Sequence, residues 1–145
     1  MIDGTVNYPA YATVTPSGNQ NFVWASSTQD PRALQKAASS AARIASCWYT
    51  QGSVGSSFTV DVNLTDGKTH NLAVYALDWD NLGARAETIA ILNASTGAVL
   101  DSRGLSAFQG GQYLVWTVSG HVQIQVTNKA SGGINAVISG LFFGQ

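Results

Sequence analysis

Two segments of this chain alternate strictly between apolar and polar residues, and this pattern constrains the fold more than any other feature. Residues 58–64 read FTVDVNL, and residues 121–126 read HVQIQV. Side chains of a β-strand point alternately to its two faces, so each segment predicts a strand with one buried and one solvated face. With neighbouring apolar segments, the pattern predicts a core of Phe58, Val60, Val62, Leu72, Val74, Ile89, Ile91, Leu114, Trp116, Val118, Val122, Ile124, Val126 and Ile138.

Turn-forming clusters separate the strands at intervals of roughly 8–12 residues. Asp66-Gly67 and Ser119-Gly120 are two-residue signals of the kind that close β-hairpins, and residues 93–97 form a third turn. Strands do not alternate with helical segments, which argues against a parallel sheet. The spacing therefore predicts an all-β fold, either a two-sheet antiparallel sandwich or a barrel.

The segment from Arg32 to Ala42 is the one stretch with helix propensity. It has no clean apolar stripe, and two serines interrupt it. We expect at most one or two helical turns there, and we favour an edge strand over residues 33–35.

Composition excludes several classes of protein. The 145 residues suit one domain spanning 1–145, and 45% hydrophobic content with a net charge of −1 argues against disorder. A nucleic-acid-binding protein or one attracted to anionic lipid would need a basic surface, so neither partner is expected. No apolar run approaches the ~20 residues of a membrane helix, so membrane insertion is not expected either.

The neutral surface, rich in hydroxyl and amide groups, favours an extracellular or cell-surface domain. The chain begins without a secretory signal, which fits a module of a larger secreted protein. The single cysteine, Cys47, excludes an internal disulfide and is expected to be a buried strand thiol.

The segment from His70 to Leu92 contains a cluster of charged residues in a chain that has few. It reads as two strands of a central hairpin, joined by a tip that contains Asp78, Trp79, Asp80 and Arg85. His70 and His121 are expected to be surface residues at strand ends.

Three roles remain open for the two aspartates of this tip. Either can pair with Arg85 across the turn, which is the role we favour. Asp78, Asp80 and Asn81 also offer oxygen ligands of the kind that calcium uses, although the spacing is not that of a dedicated calcium loop. Direct contact with a ligand is the third role. No other cofactor is expected.

Aromatic side chains near polar groups are candidate sugar-stacking platforms, because a ring offers a large contact area at low entropic cost. Trp79 lies between the two aspartates, and Tyr49 lies next to a glycine-rich loop. Trp48 and Trp24 are undecided between ligand contact and core packing.

The sequence contains few features that are typical of an enzyme. Glycoside hydrolysis needs two carboxyl groups facing each other across a cleft, and Glu87 is the only glutamate. No nucleophile elbow, phosphate loop or zinc-binding helix is present. The sequence therefore predicts a protein that is not an enzyme.

Most of the chain resembles a β-sandwich module of large multimodular bacterial proteins, similar to the jelly-roll, galactose-binding-like carbohydrate modules. The segments that carry the resemblance are VWASSTQDPRALQKA, RIASCWY, FTVDVNLTDGKTHNLAVYALDWDN, RAETIAILNASTGAVLDSR, YLVWTVSGHVQIQVTN and NAVISGLFFG. The resemblance implies a jelly-roll sandwich in an extracellular protein and, by analogy, a non-catalytic domain that binds a neutral oligo- or polysaccharide. Relatives carry a further stretch before Asn7, so a first strand is expected to be missing or replaced here.

An adhesion or scaffolding domain that binds a protein partner, or a second copy of itself, is the alternative. A glycan module needs an exposed aromatic beside polar groups, whereas an adhesion domain needs an exposed apolar patch or an unpaired strand edge.

Overall fold

Residues 7–36, 39–80 and 83–144 are described by a computed structural model. These residues form β-strands joined by turns and loops, and they contain no helix. The strands are β1 (Ala12–Ser17), β2 (Gln20–Thr28), β3 (Leu34–Lys36), β4 (Ser39–Tyr49), β5 (Ser57–Leu64), β6 (Thr69–Ala76), β7 (Ala86–Asn93), β8 (Val99–Ser106), β9 (Gln112–Ser119), β10 (His121–Asn128), β11 (Val137–Ile138) and β12 (Gly140–Gly144).

The strands form two layers in which the described pairings are antiparallel. One layer has the order β1-β5-β10-β7-β8. The other contains β9-β6-β12 and β11-β4-β2, with β3 beside β4. Only Ser139 separates β11 from β12, and its N–H donates to the Tyr75 carbonyl at 2.7 Å, so the two parts of this layer meet there. The predicted all-β, two-sheet antiparallel sandwich of jelly-roll type is confirmed.

The chain passes between the layers at most of its connections, which corrects three predicted hairpins. Strands β6 and β7, taken as a central hairpin over 70–92, lie in different layers. The same holds for β5 and β6 around Asp66-Gly67, and for β9 and β10 around Ser119-Gly120. A tight turn has the same sequence signal whether the chain returns within one sheet or crosses to the facing one, because both strands still bury alternate residues in the shared core. Only the turn over 93–97 closes a predicted hairpin, between β7 and β8.

The core between the layers follows the predicted alternation. In β5, Phe58, Val60 and Val62 are buried, while Thr59 and Asp61 are partly exposed. Every residue predicted for the core is buried. Burying alternate side chains of facing strands removes apolar surface from water, and this supplies most of the stabilisation of such a sandwich.

The region between Pro31 and Ala42 contains an edge strand in its described part. β3 pairs with β4, with Leu34 opposite Ile44. The preference for a strand over a helix is confirmed there, and residues 37 and 38 lie outside the described residues.

The two histidines differ in environment. His121 is exposed, as expected. His70 is buried, and the prediction of a surface position was wrong because Tyr11 covers its ring. The ring centroids of Tyr11 and His70 are 3.9 Å apart and nearly parallel, and Asp66 accepts at 2.9 Å from the His70 Nε2 atom.

Within the described residues, no helix has the length and apolarity needed to cross a membrane.

Candidate functional site

Arg85 organises the loop between β6 and β7. Its Nε donates to Asp78 Oδ1 at 3.0 Å, and its Nη2 donates to both carboxylate oxygens of Asp80 at 3.1 Å. Its Nη1 donates to the backbone carbonyl of Asn135 at 2.7 Å and also to the side-chain oxygen of that residue. The predicted pairing of an aspartate with Arg85 is confirmed for both aspartates, and the guanidinium also ties the loop to the segment before β11.

Asp78 is the buried partner of this arrangement, with 1% of its surface exposed. Burial raises the pKa of the Asp78 carboxyl, a hydrogen bond with Asp80 acts in the same direction, and Arg85 opposes both. Burying a carboxylate is costly unless a cation accompanies it. Asp78 therefore serves to hold Arg85 in place and does not face a ligand.

The described part of this loop fits a guanidinium better than a calcium ion. The carboxylates of Asp78 and Asp80 already accept hydrogen bonds from Arg85, whose positive charge would repel a second cation at the same oxygens. The third predicted ligand, Asn81, lies outside the described residues. In the part of the chain that the structure describes, no three His, Cys, Asp or Glu side chains are grouped to hold a metal ion. Calcium binding at Asn81 stays a prediction.

A cleft of about 350 Å³ opens beside Arg85. Strands β2 and β4 supply its aromatic wall, and the loops before β7 and β11 supply its polar wall. We call it the aromatic cleft, and its principal lining residues are Phe22, Trp24, Tyr49, Asp80, Arg85 and Asn135.

The register of two strands explains the aromatic wall. Phe22 lies opposite Cys47 in the pairing of β2 with β4. Tyr49 follows Cys47 by two residues, so these two share a face of β4, while Trp24 lies at a register shift of β2 between Val23 and Ala25. All four side chains line the cleft. The rings of Phe22 and Trp24 meet edge to face with centroids 6.1 Å apart. Phe22 is 50% exposed, and Trp24 and Tyr49 are half-buried.

The structure brings four of the predicted site residues together. Trp24, Tyr49, Asp80 and Arg85, which are distant in the sequence, all line the aromatic cleft. Asp78 lies behind Arg85. These positions make the cleft the best candidate for a binding site in the described chain.

Two predicted aromatics do not join the cleft. Trp48 precedes Tyr49 on β4, and neighbouring strand residues point to opposite faces. The ring of Trp79 is covered by the guanidinium of Arg32, whose Cζ lies 4.8 Å from the ring centroid. Arg32 is itself held by Asp30 at 2.8 Å and by the Gln109 carbonyl at 2.8 Å.

Two of the six principal lining residues of the cleft were missed from the sequence. Phe22 could have been found, because it lies two positions before Trp24 on a predicted strand. Asn135 could not, because it reaches the site from a loop fifty residues beyond Arg85 in the sequence.

A second exposed aromatic group lies on the outer face of β6, β9 and β12, and it was also missed. The Tyr113 ring lies 4.5 Å from the Tyr75 ring and 5.8 Å from the Phe142 ring, measured between centroids. Tyr113, Val115 and Phe142 are exposed. Unlike the aromatic cleft, this surface is an open sheet face.

Two reactive side chains, Cys47 and Glu87, are buried. Burial raises the pKa of the Cys47 thiol to about 12, so it is protonated at neutral pH, as expected of a buried strand thiol. Burial also raises the pKa of Glu87 to about 8. The Glu87 Oε2 atom accepts from the Val137 N–H at 2.8 Å, whereas Oε1 has no hydrogen-bond partner among the described residues.

Solved structures of carbohydrate-binding modules are among the known proteins similar to this chain. No protein-family model and no curated protein sequence matches it. Solved structures that are similar include a family 35 carbohydrate-binding module from Clostridium thermocellum, with 13% identity over 86% of this chain and 92% of that one, and a TM-score of 0.42. A family 61 module in complex with β-1,4-galactotriose has 9% identity over 92% and 88% of the two chains, and a TM-score of 0.45.

An exo-β-1,3-galactanase from Phanerochaete chrysosporium is also similar, with 17% identity and a TM-score of 0.44, and the match covers 92% of this chain but only 29% of the galactanase. Similarity at this level carries no inference about ligand or activity.

Proposed function

We propose that this protein is a non-catalytic carbohydrate-binding domain that holds a neutral glycan in the aromatic cleft. The observation that carries the proposal is the meeting of three aromatic rings with a carboxylate and an amide in one cleft. Sugar recognition combines an apolar surface for the C–H faces of the ring with polar groups placed for its hydroxyls. We also propose that the domain works outside the cell.

The aromatic wall provides the stacking surface. Phe22 is half exposed, and Trp24 and Tyr49 keep part of their rings accessible. Stacking against such rings buries the C–H face of a sugar and gains contact energy without ordering flexible side chains.

The polar wall provides hydrogen-bonding capacity. Each oxygen of Asp80 accepts one hydrogen bond from Arg85 and retains further acceptor capacity, and the Asp80 side chain is 35% exposed. The amide of Asn135 adds two N–H donors. Because Arg85 fixes both residues, their orientation is set before a ligand arrives, which lowers the cost of binding.

The proposal excludes chemistry on the glycan for a geometric reason. Hydrolysis needs two carboxyl groups on opposite sides of the bond to be cleaved. Among the described residues that line the cleft, Asp80 is the only carboxylate. Asp78 is buried behind Arg85.

A matched pair of variants tests the site. Phe22 and Tyr113 are both exposed aromatics, but only Phe22 lines the aromatic cleft. Isothermal titration against a broad panel of neutral oligosaccharides should give a dissociation constant of roughly 10 μM to 1 mM for the wild type. Phe22→Ala should weaken the binding about tenfold, and Tyr113→Ala should leave it within twofold. Equal losses for the two variants, or no heat from the wild type, would contradict the proposal.

The exposed face formed by Tyr113, Val115 and Phe142 favours adhesion as the second candidate function. Exposed apolar groups of this kind are commonly used in protein contacts. If the face served self-association, sedimentation velocity over a hundredfold concentration range would show a dimer, and Tyr113→Ser would abolish it. A monomer at every concentration would exclude self-association, and pull-downs with wild type and Tyr113→Ser would then test for a different protein partner.

A further inference from the structure

The charges that line the aromatic cleft do not balance. Arg85 is the only cationic side chain among its described lining residues, and that guanidinium is shared between Asp78 and Asp80. Asp78 is enclosed and takes the Nε donor, while Asp80 takes the Nη2 donor at the open side. One positive charge therefore serves two carboxylates, and the excess negative charge faces the cleft at Asp80.

The other N–H groups of Arg85 do not neutralise this excess negative charge. Its Nη1 group is occupied by the backbone and side-chain oxygens of Asn135. Besides its hydrogen bond with Asp78, Asp80 accepts from Nη2 at 3.1 Å to each oxygen, which is longer than the 2.7–2.9 Å usual for strong charge-assisted pairs. The exposed carboxylate has both the charge and the lone pairs to accept from a ligand.

The opposite wall is aromatic, and aromatic faces attract cations. The face of Trp, Tyr or Phe carries partial negative charge and stabilises an ammonium group within about 6 Å of the ring centroid. In this protein, Trp24, Tyr49 and Phe22 line the same cleft as Asp80. A group that is cationic at one atom and apolar around it would therefore contact favourable surfaces on both sides.

We infer that the aromatic cleft binds a glycan of otherwise neutral rings that carries a free, protonated amino group, and that Asp80 accepts the ammonium hydrogens. The inference rests on the proposed function and names the substrate class of the same site. A free amine donates up to three hydrogen bonds and carries the complementary charge. N-acetylation removes the charge and places an acyl group against Asp80, and a uronic acid brings a second negative charge to it.

Four oligosaccharide probes of equal length and linkage test the inference. They are trimers of glucose, N-acetylglucosamine, glucosamine and glucuronic acid, titrated calorimetrically at about pH 6, where the amine is protonated. We expect the glucosamine trimer to bind about tenfold more tightly than the glucose and N-acetylglucosamine trimers, and the glucuronic acid trimer to bind more weakly than either. The preference should shrink as salt rises from about 0.05 to 0.5 M, because salt screens an exposed charge.

A charge-removing variant assigns the preference to one residue. Asp80→Asn keeps the shape of the side chain and removes its charge, so the preference for the amine should disappear while stacking is retained. Asp61→Asn is the matched control, since it makes the same charge change at a partly exposed residue of β5 that does not line the cleft. It should leave the preference unchanged. The salt series on the wild type keeps the inference falsifiable if Asp80→Asn does not fold.

The outcomes separate this inference from the proposed function. Equal binding of the glucose, N-acetylglucosamine and glucosamine trimers would overturn the inference and leave the glycan-binding proposal intact. A preference that survives Asp80→Asn would also overturn it. If no trimer and no member of the neutral panel binds, the proposed function fails and the inference fails with it.

Discussion

Arg85 donates from Nε to Asp78 at 3.0 Å, and both side chains are at least nine-tenths buried. This pair joins the end of β6 to the start of β7 across the two layers. Its burial makes it different from the other arginine–aspartate pairs described here, which are all partly exposed. The rigidity of the polar wall of the aromatic cleft depends on it.

Removing Arg85 should be strongly destabilising. Arg85→Ala leaves the buried Asp78 carboxylate without its cation, a loss that costs about 3–5 kcal/mol in other proteins. Urea unfolding at neutral pH measures the change. Arg103→Ala is the control, because Arg103 pairs with the partly exposed Asp101 and its loss should cost only a fraction of the Arg85 effect. Similar costs for both variants would show that burial of Asp78 is not what makes Arg85 important.

Glu87 should make the protein less stable as pH rises. The pKa of Glu87 is raised from 4.5 to about 8 by burial, so the unfolded chain releases this proton at lower pH than the folded protein. The contribution of Glu87 to the stability of the folded protein is complete below about pH 4.5 and is lost progressively as pH rises to about 8.

The Glu87→Gln variant isolates this effect. Urea unfolding of wild type and variant at about pH 5 and pH 8 should show a loss of several kcal/mol in the wild type that the variant lacks. Other titrating groups contribute equally to both proteins and cancel in the difference. Parallel pH profiles would mean that Glu87 is ionised in the folded state.

Two neighbouring residues of β9 test the alternation directly. Leu114 is buried and Val115 is 48% exposed. Leu114→Ala should cost ~2–5 kcal/mol in the free energy of unfolding, because it opens a cavity between the layers. Val115→Ala should change it by no more than ~0.5 kcal/mol. A loss below half a kcal/mol for Leu114→Ala would place this residue outside the core.

Variants of Trp79 and Trp24 distinguish between two binding sites, the loop between β6 and β7 and the aromatic cleft. The sequence indicated Trp79 as the leading stacking platform, whereas the structure covers one face of its ring with Arg32. Trp79→Ala should therefore leave the affinity for a bound glycan within twofold, and Trp24→Ala should weaken it about tenfold. Calorimetric titration of both variants, after a check that each one folds, decides between the two sites. A larger loss for Trp79→Ala would move the site to the loop.

The identity of the buried residues could be read from the sequence. The alternation at Phe58, Val60 and Val62 requires only that one face of the strand is shielded from water. This requirement shows in the order of neighbouring residues alone. The pairing of Asp78 and Asp80 with Arg85 was also predictable, because the three residues lie within one short loop of a chain that has few charges. The thiol of Cys47 was placed correctly for the same kind of local reason, its apolar neighbours.

The assignment of strands to layers was decided only by the tertiary structure. A turn such as Ser119-Gly120 can close a hairpin or lead across the core, and local alternation is the same in both cases. The aromatic cleft shows the consequence. Phe22, Tyr49 and Asn135 become neighbours only because β2, β4 and β11 lie side by side, a relation fixed by pairing between strands that are distant in sequence. Long-range packing and not local pattern therefore created the site in which the function is proposed.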